Sequence, residues 1–148
     1  MYLIEKNKMK EYHTHIEINA PRNEVWNSLT SFENYGEWNP LVSELTGDIS
    51  EGGTINTRIV PLNKTFSVKL LSYRENEEII WKGRQVASFL LAGKHYYRLK
   101  EHKENVTILE HGEYFTGFLS TFIPKRLLEK MEKAFNDHNV ALKQRIEK

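Results

Sequence analysis

No cysteine occurs in the 148 residues. Disulfides, thiolate metal sites and cysteine nucleophiles are excluded, and a reducing compartment fits. An excess of either charge sign is also missing. Lys and Arg number 21 against 20 Asp and Glu, for a formal net charge of +1, so composition points to neither nucleic acid nor an anionic membrane surface. Long apolar runs are absent: the longest, Phe89 to Ala92, is far short of the roughly 20 residues a membrane-spanning helix needs. Met1 to Lys10 shows no apolar segment of the signal-peptide kind. There is no Gly-rich phosphate loop, no Gly-x-Ser-x-Gly elbow and no His-Glu-x-x-His. Nothing calls for a cofactor. The expectation is a cytoplasmic protein, monomeric or homodimeric, that binds no nucleic acid and makes no stable membrane association. No repeat or low-complexity linker divides the chain, so one domain over residues 1–148 is expected, with Met1 to Glu11 as a charged, flexible lead-in.

Glycine is missing from Phe118 to Lys148, and the only proline there is Pro124. Apolar residues recur at Leu127/Leu128, Met131, Ala134/Phe135, Ala141/Leu142 and Ile146. A period of three to four predicts one apolar stripe on a helix from Pro124 to Ile146, roughly 35 Å long at 1.5 Å per residue. The stripe breaks at His138-Asn139. Such a helix needs a wide apolar partner.

Upstream the period changes to two. Tyr12, Thr14, Ile16 and Ile18 share one face of a strand, with His13, His15 and Glu17 on the other. Pro21 suits a first helical turn, so Pro21 to Thr30 reads as a short helix and Ser31 to Tyr35 as a second, with Gly36 to Pro40 as a loop. Six more strands follow near Val42–Asp48, Thr54–Val60, Lys64–Tyr73, Glu77–Gly83, Lys94–Glu101 and Asn105–Phe115, separated by short turn signals. The fold class is α+β: a seven-stranded curved antiparallel sheet wrapped around a long C-terminal helix, with two short helices between the first two strands.

Several residues fall into a recognisable order. Ile16-x-Ile18-x-Ala20-Pro21 precedes Val25-Trp26 and Tyr35-x-x-Trp38-Asn39-Pro40, with glycines at Gly47 and Gly53. Trp81-x-Gly83 precedes Gly93-x-His95-x-Tyr97-x-Leu99, then Thr107-x-Leu109-x-His111-x-Glu113-x-Phe115-x-Gly117. From about Tyr12 to Glu147 this resembles the START-like superfamily, also called helix-grip, SRPBCC or Bet v 1-like, and within it the polyketide cyclase/dehydrase-like group. The resemblance implies an apolar cavity between sheet and helix.

The last hairpin carries the polar candidates. With Glu101 opposite Asn105, Leu99 faces Thr107, Tyr97 faces Leu109 and His95 faces His111. Leu99, Leu109 and Phe115 make this the inner face, so His95, His111 and Glu113 point inward. These three can satisfy one another within the wall, orient a ligand, or move protons, with His111 and Glu113 as catalytic candidates. A metal reading lacks a fourth ligand. Tyr35, Trp38, Trp81, Phe89, Tyr97, Phe115, Phe118 and Phe135 are the aromatic candidates for a pocket wall, while Trp26 and Phe66 read as core. Trp38 reads equally as a brace at the rim. Arg84 to Gly93 reads equally as a lid over a cavity mouth and as a strand with a bulge. On the helix, Met131, Phe135 and His138 are placed toward ligand space, and Leu142 and Ile146 against the sheet.

Three functions are consistent with these residues and the resemblance. The first is binding of a small, largely hydrophobic ligand. The second is a polyketide cyclase or dehydratase-like enzyme using the same cavity. The third is a co-chaperone or stress-type interaction module. The candidate ligand-binding set is Tyr35, Trp38, Trp81, Phe89, His95, Tyr97, Leu109, His111, Glu113, Phe115, Met131 and Phe135.

Overall fold

The structure is a computed structural model that describes residues 10–84 and 92–148. Strand β1 (Lys10–Ile18) leads into helix α1 (Arg22–Leu29), a 3-10 turn (Phe32–Asn34) and the short helix α2 (Tyr35–Trp38). Strands β2 (Val42–Gly47), β3 (Thr54–Ile59), β4 (Lys64–Arg74), β5 (Glu78–Arg84), β6 (Ala92–Lys103) and β7 (Val106–Thr116) follow. Helix α3 (Lys125–Ile146) ends the chain. The seven strands form one curved antiparallel sheet in the order β1-β7-β6-β5-β4-β3-β2, so the first strand closes against the last.

The strands and the long helix form where their periodicity predicts. On β1, Tyr12, Thr14 and Ile18 are buried while His13, His15 and Glu17 are exposed. Helix α3 starts directly after Pro124, whose carbonyl accepts from the Leu127 and Leu128 amides. At its other end a clasp holds the helix to the β1–α1 corner. Glu147 accepts from the Asn19 amide at 2.7 Å and from Lys143 at 2.6 Å, and Lys143 also donates to the Glu17 carbonyl.

Two sequence-based expectations change. The segment Gly36 to Pro40 is not all loop, because α2 continues through Trp38 and closes with the Asn39 amide on the Tyr35 carbonyl. The i, i+3 spacing of Phe32, Tyr35 and Trp38 stacks their rings edge to face at 5.3 and 5.4 Å, which favours helix here. Gly36 does not break the helix, and an added Cβ would lie 3.4 Å from the Ser43 carbonyl oxygen, about an ordinary contact distance. The turn itself belongs to Asn39, whose Oδ1 accepts from the Leu41 and Val42 amides.

The β6–β7 register is also displaced. Leu99 pairs with Leu109, Tyr97 with His111 and His95 with Glu113. The hairpin closes further out than expected, with Lys103 opposite Val106, a bulge between Glu101 and Lys103, and Asn105 in the left-handed region at φ 57°. The displacement is two residues, so every side chain keeps its face.

Helix α3 lies on the concave face and touches β1, β7 and the turn at Val60–Leu62. Leu142 is fully buried beneath it, and Val140 on the outer side is 46% exposed. Leu142→Ala is expected to cost about 2–5 kcal/mol through the lost contacts and the void left behind, and Val140→Ala about 0.5 kcal/mol or less. Urea midpoints of the two variants check this; equal midpoints would contradict the assigned helix orientation.

Candidate functional site

A cavity of about 410 Å³ opens between the sheet and the N-terminal half of α3. Its sheet wall is built from i, i+2 pairs on five successive strands: Thr57 and Ile59, Phe66 and Val68, Trp81 and Gly83, Gly93 and His95, Glu113 and Phe115. The two-residue period of a strand places each pair on one face. Leu127, Leu128, Met131 and Phe135 of α3 form the opposite wall. Most of this lining is apolar.

Six candidates border the cavity: Trp81, His95, Glu113, Phe115, Met131 and Phe135. Tyr35, Trp38, Tyr97, Leu109 and His111 do not; nor does His138. Tyr35 is fully buried and donates its hydroxyl to the Leu29 carbonyl, bracing α1 against α2. Trp38 stands between Tyr35 and His138. Tyr97 and His111 occupy the next inward-facing pair along β6 and β7 from His95 and Glu113, so the boundary between cavity and packed core falls between these two pairs. Phe89 and residues 85–91 lie outside the described residues, as does the side chain of Phe118, so the lid-or-strand alternative concerns residues that are not described. Thr57 and Val68 were not singled out in the sequence, and the i, i+2 pairing along the strands is the signal that finds them; Leu128 was placed on the apolar stripe of the helix but not assigned to the cavity. Phe66, read as core, lines the cavity.

A chain of buried hydrogen bonds runs behind this wall. Thr14 donates to the His111 carbonyl oxygen at 2.6 Å, and the Asn139 side-chain nitrogen donates to Thr14 Oγ1 at 2.8 Å. Asn139 Oδ1 lies 2.8 Å from His111 Nδ1, and His111 Nε2 lies 2.8 Å from His95 Nε2. Burial drives His95 and His111 well below the ordinary imidazole pKa, with His138 nearby adding to the effect. His138 itself is pushed down to about 4 by burial, against the pull of its Asn139 contact. All three are neutral. The His111 ring is stacked between Tyr97 and Phe135, at 4.2 and 4.3 Å between centroids.

Glu113 carries the cavity's carboxyl group. Tyr12 donates to its Oε1 at 2.5 Å, and burial raises its pKa to about 7 despite that bond. Its Oε2 sits against Gly93, where a Cβ would come within 2.9 Å. Gly93 therefore makes room for the carboxylate. Near neutral pH this group is an acid and a base in comparable amounts, beside a neutral imidazole, on an apolar wall. Among the described residues, no group of three or more His, Asp or Glu is placed to hold a metal ion, and no helix is long and apolar enough to cross a membrane.

These groups set the pH profile of stability. Below the ordinary imidazole pKa of 6.5, the unfolded chain protonates three imidazoles that the native state keeps neutral. Above about 4.5, the native state keeps one carboxyl proton that the unfolded chain releases. The unfolded state thus binds the excess, and stability falls as pH drops from 6.5, approaching roughly 2–3 kcal/mol per pH unit. Glu113 acts in the opposite sense: its contribution is full below about 4.5 and lost as pH rises through about 7. Urea midpoints are expected to fall steeply from pH 6.5 to pH 5 and to level off between about pH 7 and 8, where the opposing contributions nearly cancel, and the fall is expected to be steeper in Glu113→Gln. A flat profile between pH 5 and 6.5 would contradict neutral buried histidines.

Known proteins share this architecture. The aromatase/cyclase Zhui from Streptomyces sp. R1128 superposes with a TM-score of 0.68 at 15% identity, covering 95% of this chain and 94% of its own. A START superfamily protein from Mycobacterium smegmatis gives 0.68 at 15% identity over 95% and 98%. A hypothetical protein from Helicobacter pylori gives 0.74 at 9% identity over 95% and 88%. At these identities the likeness is one of fold. No curated protein matches the sequence significantly. The sequence profile of one family, described as polyketide cyclase/dehydrase and lipid transport, matches residues 9–147. With a match of that extent, the chain belongs to the polyketide cyclase/dehydrase and lipid transport family.

Proposed function

We propose that this protein binds a small, largely hydrophobic molecule in the cavity between the curved sheet and α3. Family and fold support a hydrophobic-ligand-binding or polyketide cyclase-like role. The observation that carries the binding reading is the cavity itself. About 410 Å³ of apolar-lined space lies in the range of small-molecule sites, and it is bordered by three polar side chains, Thr57, His95 and Glu113. A core of this size has no reason to leave such space unfilled, since voids forfeit dispersion contacts.

A second reading rests on Glu113. A carboxyl group with a pKa of about 7, beside neutral His95, suits proton transfer to and from a bound carbonyl compound at neutral pH. That would make the same cavity a cyclase or dehydratase-like site. Glu113 borders the cavity and His111 does not, so Glu113 is the residue that this reading needs. Interaction with a protein partner finds less support, because the exposed large apolar residues among the described residues are spread over four elements: Val60 and Leu62 in one turn, Leu71 on β4, Phe122 ahead of α3 and Val140 on α3.

Trp81 lines the cavity, and Trp26 and Trp38 do not. Titration with the uncharged dye N-phenyl-1-naphthylamine is therefore expected to be saturable, one-to-one, and to quench Trp81, with the quench lost in Trp81→Phe. Leu128→Trp, which fills the space from the helix side, is expected to weaken dye binding about tenfold or more while leaving the urea midpoint near wild type. Undiminished binding in Leu128→Trp would place the dye elsewhere and remove the basis for the proposal.

A further inference from the structure

The buried hydrogen-bond chain behind the wall has a direction, and that direction reaches the cavity. Thr14 Oγ–H can only donate to the His111 carbonyl oxygen, which has no hydrogen to give. The same oxygen atom of Thr14 must then accept from Asn139, which assigns the Asn139 nitrogen to Thr14 and its Oδ1 to His111. An amide oxygen only accepts, so His111 carries its hydrogen on Nδ1. Neutral His111 therefore presents a bare Nε2 to His95, and His95 answers with Nε2–H across 2.8 Å. Neutral His95 is left with a lone pair on Nδ1. That atom has no partner among the described residues, and His95 borders the cavity.

We propose that the cavity selects ligands bearing a hydrogen-bond donor, an alcohol, enol or phenol hydroxyl on an otherwise apolar body, and seats that hydroxyl on Nδ1 of His95. This rests on the binding reading given above and adds the ligand class. Glu113 stands opposite His95 on the neighbouring strand, and its Oε2 is a second acceptor in its ionised form. An ether or carbonyl oxygen placed against Nδ1 of His95 would meet a lone pair and leave that buried acceptor unpaired.

His95 cannot simply exchange tautomers to suit such a ligand. Donation from Nδ1 requires a bare Nε2 on His95, hence a hydrogen on His111 Nε2 and a bare His111 Nδ1. Asn139 must then flip its amide, and Thr14 must turn its hydroxyl from the His111 carbonyl to the flipped oxygen. Each link is coupled to the next, so the preference belongs to the chain as a whole. Protonating His95 instead would place a cation on a fully buried ring next to two other imidazoles.

The test uses two probes of nearly equal shape, 2-naphthol and 2-methoxynaphthalene, with Trp81 fluorescence as the readout. Simple apolar burial favours the ether, which has one methyl group more. Wild-type protein is expected to bind the naphthol about tenfold tighter or better. His95→Leu is expected to abolish that preference while still binding the ether. Thr14→Val, which removes the group that sets the direction, is expected to reduce the preference. Independently of any ligand, long-range 15N–1H correlation of the imidazoles should show His111 protonated at Nδ1 and His95 at Nε2. Ether binding equal to or tighter than naphthol, or the opposite tautomers, overturns the inference and leaves the binding reading standing. Failure of the wild type to bind either probe overturns the binding reading and this inference with it.

Discussion

Asn139 holds the structure at its crossing point. It sits on α3 at 1% exposure and bonds to Thr14 on β1 and His111 on β7. A buried amide with no partner would cost on the order of 1–3 kcal/mol, so the helix is held at the rotation and depth that satisfy this residue. Below Asn139, Leu142 and Ile146 pack in the core shared with β1. Above it, Met131, Leu128 and Leu127 face a sheet that curves away, and the space between becomes the cavity. The apolar stripe alone would permit sliding; the polar anchor does not.

The anchor also divides the sheet face chemically. Tyr97 and His111 are covered by the helix and belong to the packed side, while His95 and Glu113, one pair further along, belong to the open side. His111 thus links the two regions without touching the cavity. Its ring is clamped by Tyr97 and Phe135, and both ring nitrogens are engaged. The polar residues in this wall are therefore not a scattered set. One group holds the helix in place, and the other, His95 and Glu113, borders the cavity.

Much of this was legible in the sequence. Periodicity located all seven strands and the long helix to within a few residues, because each element has one face that must be buried and that face repeats with the element's geometry. The inward direction of His95, His111 and Glu113 also follows from the two-residue period. What periodicity could not supply was the pairing. The hairpin closes at Lys103 and Val106 through a bulge, and a displacement of two residues leaves every face unchanged. Alternation is blind to such a displacement, yet it decides that His95 lies opposite Glu113 and not His111. Gly36 misled because the stacking of Phe32, Tyr35 and Trp38 at helical spacing outweighs its local preference for a break.

By itself, then, the sequence determined the secondary structure, the antiparallel sheet, the helix that it grips and the inward set of polar residues. These depend on local periodicity and turn chemistry, which a single chain displays directly. The tertiary structure alone decided where the cavity ends. Membership of the cavity wall depends on how far along each strand the helix makes contact, and that depends on Asn139 meeting Thr14 across 125 positions of sequence. It also decided the protonation of His95, because the direction of that hydrogen-bond chain begins at a hydroxyl on the first strand and passes through the last helix before it returns to the sheet.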